Sequence, residues 1–157
     1  MMRTQYAFNV RVLNSSWGQS GSPNGLLSNS IQSVGNSGIL LVAASGNGNA
    51  LGHGVDNDRT PFYPASFDLE NIVAVAAIDN RDNLASFTNF GSKSVDIDAH
   101  GVGVRSTLPG GRYSEANGTS PATWVGRYAA PFAEAAHRPL RLGGSSKFPP
   151  PPRAIRS

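Results

Sequence analysis

Two uninterrupted apolar runs constrain this chain more than any other feature: Ile39-Leu40-Leu41-Val42-Ala43-Ala44 and Ile72-Val73-Ala74-Val75-Ala76-Ala77-Ile78. A strand with one face in water alternates apolar and polar residues. These runs do not alternate, so each must be covered on both faces, as an inner strand of a parallel sheet is. Parallel neighbours need a crossover connection, usually a helix. A helix is predicted ahead of the first run, where Leu26, Leu27, Ile31 and Val34 recur at helical spacing and Asn36 and Gly38 supply the stop. Val10–Leu13 predicts a further buried strand, and Val95–Ile97 and Val104–Leu108 predict shorter ones. Pro109-Gly110-Gly111 predicts a turn, and Thr119–Ala130 a helix ended by Pro131. Met1–Phe8 reads as the end of a helix, and Gly18–Gly25 and Ser45–Arg59 as loops. Strand, helix and further buried strands predict an α/β fold with a mainly parallel sheet.

Composition removes several classes. Hydrophobic residues make up 39% and charged residues 15%, which excludes a chain that is disordered throughout. With no cysteine there is no disulfide framework and no thiolate metal site. Met1–Val10 lacks the apolar run of a secretory leader, and no stretch approaches the length of a membrane span, so no membrane partner is expected and the compartment stays open. Charge divides the chain at Trp124. Up to Thr123 there are seven Lys/Arg against nine Asp/Glu; beyond it there are six Lys/Arg against one Glu. The second part, residues 124–157, includes Pro149–Pro152 and is expected to be an irregular, basic, Pro-rich tail. It lacks the aromatic interleaving and the motifs of a nucleic-acid site, so no nucleic-acid partner is expected.

Three segments carry chemistry. In Gly118-Thr119-Ser120-Pro121-Ala122-Thr123, a serine stands at a predicted helix N-terminus, where free N–H groups favour developing negative charge; an ordinary N-cap looks the same. In Leu41-Val42-Ala43-Ala44-Ser45-Gly46-Asn47, a buried strand ends in small residues and an asparagine whose amide can donate to an oxyanion; a polar residue merely closing a strand looks the same. In Val12-Leu13-Asn14-Ser15-Ser16-Trp17-Gly18, a strand runs into a polar, glycine-ended segment able to pair with an extended peptide by strand addition, or simply to leave the sheet.

In this order the three segments resemble the subtilase family of serine peptidases. Tyr63-Pro64-Ala65-Ser66, Asn71–Ala77, Leu84–Gly91 and Ser106–Gly111 resemble the family's intervening core, so the resemblance runs from about Tyr6 to Thr123. It implies an incomplete three-layer subtilisin-like fold, with residues 1–123 as part of a catalytic domain. It implies Ser120 as nucleophile and Asn47 as oxyanion donor, with Ser16, Trp17 and Gly18 and Ala44, Ser45 and Gly46 lining the cleft for an extended polypeptide substrate. No cofactor is implied.

The departures are as informative. The family's triad runs Asp, His, Ser along the chain. Only eleven residues precede Val12, and no Asp-Thr-Gly-like or His-Gly-Thr-His-like segment occurs. The family's Ala-Pro-Gly turn reads Ala99-His100-Gly101, and after Thr123 the expected Pro-His-Val-Ala-Gly is replaced by Trp124-Val125-Gly126-Arg127. His53, His100 and His137 are not expected to serve as the base. Asp56, Asn57 and Asp58 bring calcium to mind, but Pro61 stands where an EF-hand needs glycine, and no metal is expected. The chain is therefore expected to be a serine-endopeptidase fragment, inactive alone, or alternatively a remnant that at most binds extended peptides.

Overall fold

The computed structural model describes residues 10–126. Its centre is a four-stranded, all-parallel sheet of β1 (Val12–Ser15), β3 (Leu40–Ala44), β5 (Ile72–Ile78) and β6 (Ile97–His100), side by side in that order. Helix α1 (Gly25–Asn36) makes the crossover from β1 to β3. A second helix, α2, is described over 119–126. Two small antiparallel pairs complete the fold: β2 (Gln19–Ser20) with β4 (Phe62–Tyr63), and β7 (Val104–Leu108) with β8 (Arg112–Ala116).

The two apolar runs are the inner strands, buried at every position except the last of β5. Their side chains alternate between two cores. Leu40, Val42, Val73, Val75 and Ala77 pack on one face with Ala122 of α2. Leu41, Ala43, Ile72 and Ala74 pack on the other with Ile31 of α1. Helices on both faces of a parallel sheet make three layers, as expected of an α/β chain without periodic strands. Gly126 lets α2 lie close on the sheet, since a Cβ there would stand 3.1 Å from Val75.

Several elements differ from the sequence reading. The first strand is Val12–Ser15 and not Val10–Leu13, and it is mostly exposed because it forms one edge of the described sheet and is covered on one flank only. Leu26 is 81% exposed, because the stripe that faces the sheet is Leu27, Ile31 and Val34, and Leu26 lies about a quarter-turn off it. The strand predicted at Val95–Ile97 lies at Ile97–His100, so His100 ends a strand and does not sit in a turn. β7 stands where it was predicted but is exposed and paired in a hairpin, its turn made by Gly110 and Gly111, both at positive φ. The predicted helix at Met1–Phe8 and the tail from Arg127 lie outside the described residues. Among the described residues no helix is long and apolar enough to cross a membrane.

Candidate active site

Parallel strands deliver their C-terminal ends to one edge of the sheet, and open α/β folds bind ligands there. Here β1 runs out into Ser16, β3 runs out into Ser45–Gly48, and α2 begins at the same edge. Ser120 Oγ donates to the backbone oxygen of Ser16 (2.9 Å), across 104 positions of sequence. Ser16 Oγ in turn accepts from Asn14 Nδ2 (2.7 Å) and shares a hydrogen bond with Thr123 Oγ1 (2.7 Å). The end of β1 and the first turn of α2 are thereby laced together by polar groups.

Asn47 is fixed from the same helix. Thr119 N–H donates to Asn47 Oδ1 (2.8 Å), and Thr119 Oγ1 donates to the same oxygen (2.9 Å). A backbone N–H cannot accept, so the atom facing it must be the carbonyl end of the amide; the N–H₂ end is left to donate elsewhere. Gly46 N–H closes the loop on Thr119 Oγ1 (3.3 Å). Gly118, at φ +154°, is where α2 turns in, and a Cβ there would press within 3.3 Å of Asn47 Nδ2.

The loop bearing Asn47 is anchored from below by buried amides. Asn89 Oδ1 accepts from Gly48 N–H (2.8 Å) and Val55 N–H (3.1 Å), and Asn89 Nδ2 donates to Asn57 Oδ1 (2.9 Å). Asn57 Nδ2 donates to the Ser45 carbonyl (2.8 Å), and Ser45 Oγ donates to the Asn89 carbonyl (3.0 Å). Ser45, Asn57 and Asn89 are all buried, so each of these bonds satisfies a group that would otherwise be stranded.

These elements enclose a cleft of about 330 Å³ lined by Ser16, Trp17, Gly18, Ala44, Gly46, Asn47, Gly48, Phe62, Thr119 and Ser120. Seven of the eight residues singled out in the sequence therefore share one wall-to-wall site. The eighth, Ser45, is fully buried behind the wall, its hydroxyl turned to Asn89. Sequence reasoning gave no site role to Thr119, Phe62 or Asn89, and weighed Asn57 only as a calcium ligand. Thr119 was visible inside the Gly118–Thr123 run; nothing local distinguishes Asn89 from any other loop amide. No lining residue is charged, so preference for an anion rests on the Asn47 amide and on the backbone N–H of Ser120 in the first turn of α2, since the Thr119 N–H is held by Asn47 Oδ1 and Pro121 has none. Both described histidines, His53 and His100, are exposed, and neither side chain hydrogen-bonds Ser120. Among the described residues no group of three or more His, Asp or Glu could hold a metal ion.

A serine hydroxyl, an asparagine amide and a helix N-terminus meet around one uncharged cleft, and the family model of the subtilase family matches residues 1–138. The chain belongs to the subtilase family. Subtilisin BL of Lederbergia lenta is 42% identical over 114 residues, an alignment covering 73% of this chain and 38% of that protein. Among solved structures, the prenylagaramide maturation protease PagA superposes with a TM-score of 0.65 at 26% identity, covering 88% of this chain and 48% of that one. The self-cleaved protease domain of PatA superposes with a TM-score of 0.64 at 29% identity, covering 83% and 48%. This subtilase chain thus spans less than half the length of each of these relatives.

Proposed function

We propose that this chain carries the acylating serine, Ser120, and the oxyanion donor, Asn47, of a serine endopeptidase acting on extended polypeptides. In this reading Ser120 Oγ attacks the peptide carbonyl carbon and loses its proton to a base. The carbonyl oxygen becomes an oxyanion and accepts from Asn47 Nδ2 and from the Ser120 backbone N–H at the start of α2. The amine leaves with a proton, and water later releases the acyl group. The observation that carries the reading is the double hold of Thr119 on Asn47 Oδ1, which turns the amide donor of a residue 72 positions away toward the serine's cleft.

In this reading the described residues bind an extended peptide but supply no base for turnover. The Ser120 proton is donated to a backbone carbonyl, and among the described residues no imidazole is positioned to take it. In subtilisin, a relative, loss of the triad serine or histidine costs about a million-fold in kcat.

The test compares acetylated tetra-alanine ending in a carboxylate with the same peptide ending in an amide, by calorimetric titration of the full chain. The carboxylate mimics the oxyanion, so it is expected to bind more tightly. Hydrogen bonds to a charged group contribute about 1.5–3 kcal/mol, which is roughly 10- to 150-fold, and Asn47→Ala should erase that margin. Equal affinity for the two peptides would remove the reading. Hydrolysis of casein above a Ser120→Ala control would overturn the expected inactivity.

A further inference from the structure

We propose that Phe62 closes off the depth of the cleft, so that the substrate residue contributing the attacked carbonyl must carry a small side chain. The inference rests on the peptide-cleft reading above. That residue's side chain branches one bond from the carbonyl carbon and falls into the nearest concavity beside Ser120. This concavity is bounded by two glycine-bearing segments, Ser16–Gly18 after β1 and Ala44–Gly46 after β3.

The Phe62 ring stands between them. A Cβ at Gly18 would meet its Cε1 and would lie 2.8 Å from its Cζ; a Cβ at Gly46 would lie 3.1 Å from its Cγ. The ring therefore lies between the two segments, taking most of the room beside Gly18 and sharing the room beside Gly46 with the Asn89 amide. Its backbone is pinned as well. Phe62 N–H donates to Ser66 Oγ (3.0 Å), Ser66 N–H donates to the Phe62 carbonyl (2.9 Å), and Phe62 is paired with Ser20 across β2–β4. The anchored backbone keeps the base of this half-buried ring at the cleft. A large apolar side chain must then stay in water or displace the ring, and packed sites resist such overfilling.

Product-like peptides test this without turnover, because a terminal carboxylate at Asn47 fixes which residue faces Phe62. Acetyl-Ala-Ala-Ala-Ala and acetyl-Ala-Ala-Ala-Phe, both with free carboxylates, are titrated into the full chain, and binding is read by calorimetry and by Trp17 fluorescence. A single methylene changes selection in an apolar pocket by about 10- to 200-fold, so the wild-type chain is expected to favour the alanine peptide by at least about tenfold. Phe62→Gly should abolish or invert that preference, and Phe62→Leu should weaken it. Circular dichroism monitors folding, and the leucine variant keeps the test decisive if the glycine variant does not fold.

Three outcomes would overturn the proposal. If the wild-type chain binds both peptides alike, or the variants keep the alanine preference, Phe62 does not set the size limit, and the Asn47-dependent carboxylate margin still stands by itself. If neither peptide binds the wild-type chain, the cleft reading fails and this inference fails with it.

Discussion

Replacing Asn89 by alanine should loosen the loop that bears Asn47 and destabilise the whole fold. The side chain satisfies three groups: Gly48 N–H at 2.8 Å, Val55 N–H at 3.1 Å and Asn57 Oδ1 at 2.9 Å. A buried group stranded by mutation costs about 1–3 kcal/mol. The two N–H groups are only part-buried, so water offsets some of their loss and each belongs at the low end; Asn57 Oδ1 is buried and belongs in the middle. The sum is about 3–5 kcal/mol, a large share of the 5–15 kcal/mol typical of a domain. Urea unfolding followed by circular dichroism reads it directly. With a slope of about 1–3 kcal/mol per molar urea, the midpoint should fall by on the order of 2 M. Asn89→Asp controls for lost volume: it retains the oxygen that accepts both N–H bonds but sets a second oxygen against Asn57 Oδ1, and it too should be destabilised. A midpoint shift below about 0.5 M for both variants would refute the claim that this network holds the loop.

Other expectations follow from the same geometry. Thr119→Val keeps the shape but removes the hydroxyl that donates to Asn47 Oδ1 and accepts from Gly46 N–H; stability should drop by about 1–3 kcal/mol, with a matching loss of the carboxylate margin in peptide titrations. Gly118→Ala forces a side chain into φ +154° and within 3.3 Å of Asn47 Nδ2 and Pro121 Cδ; thermal unfolding should show a loss of about 1–3 kcal/mol. For Asp58, partial burial raises the carboxyl, but the Ser94 and Ser92 hydroxyls and the Lys93 and Ser94 amides outweigh it and bring it below the ordinary value of 3.8. A carboxyl lowered on folding stabilises above its unfolded value and loses that contribution as pH falls through the folded one. Acid unfolding below about pH 4 should therefore be less steep in Asp58→Asn than in the wild-type chain.

The layers were legible in the sequence because burial on both faces leaves a local trace. The runs that became β3 and β5 are apolar at every position, and α1 declares itself through Leu27, Ile31 and Val34. Elements whose existence depends on a partner were not legible. β8 (Arg112–Ala116) is polar and wholly exposed, and it is a strand only because Gly110 and Gly111 fold it back on β7. β1 carries apolar residues in water at one edge of the described sheet, so its burial was overread. The site shows the same division. Ser120 and Asn47 stand out through the residues around them, whereas the part played by Asn89 arises from contacts 34 and 41 positions away, which no local pattern encodes.

The central claim is that the Asn47 amide and the first turn of α2 grip one and the same oxygen. Proton–nitrogen correlation NMR of the labelled chain, titrated with acetyl-tetra-alanine carboxylate, tests it most directly. The account predicts that the Asn47 side-chain N–H₂ and the Ser120 backbone N–H shift together, with one saturation curve, and that the same peptide ending in an amide moves them far less. Shifts confined to other regions, or an Asn47 amide that stays still while the peptide binds, would contradict it.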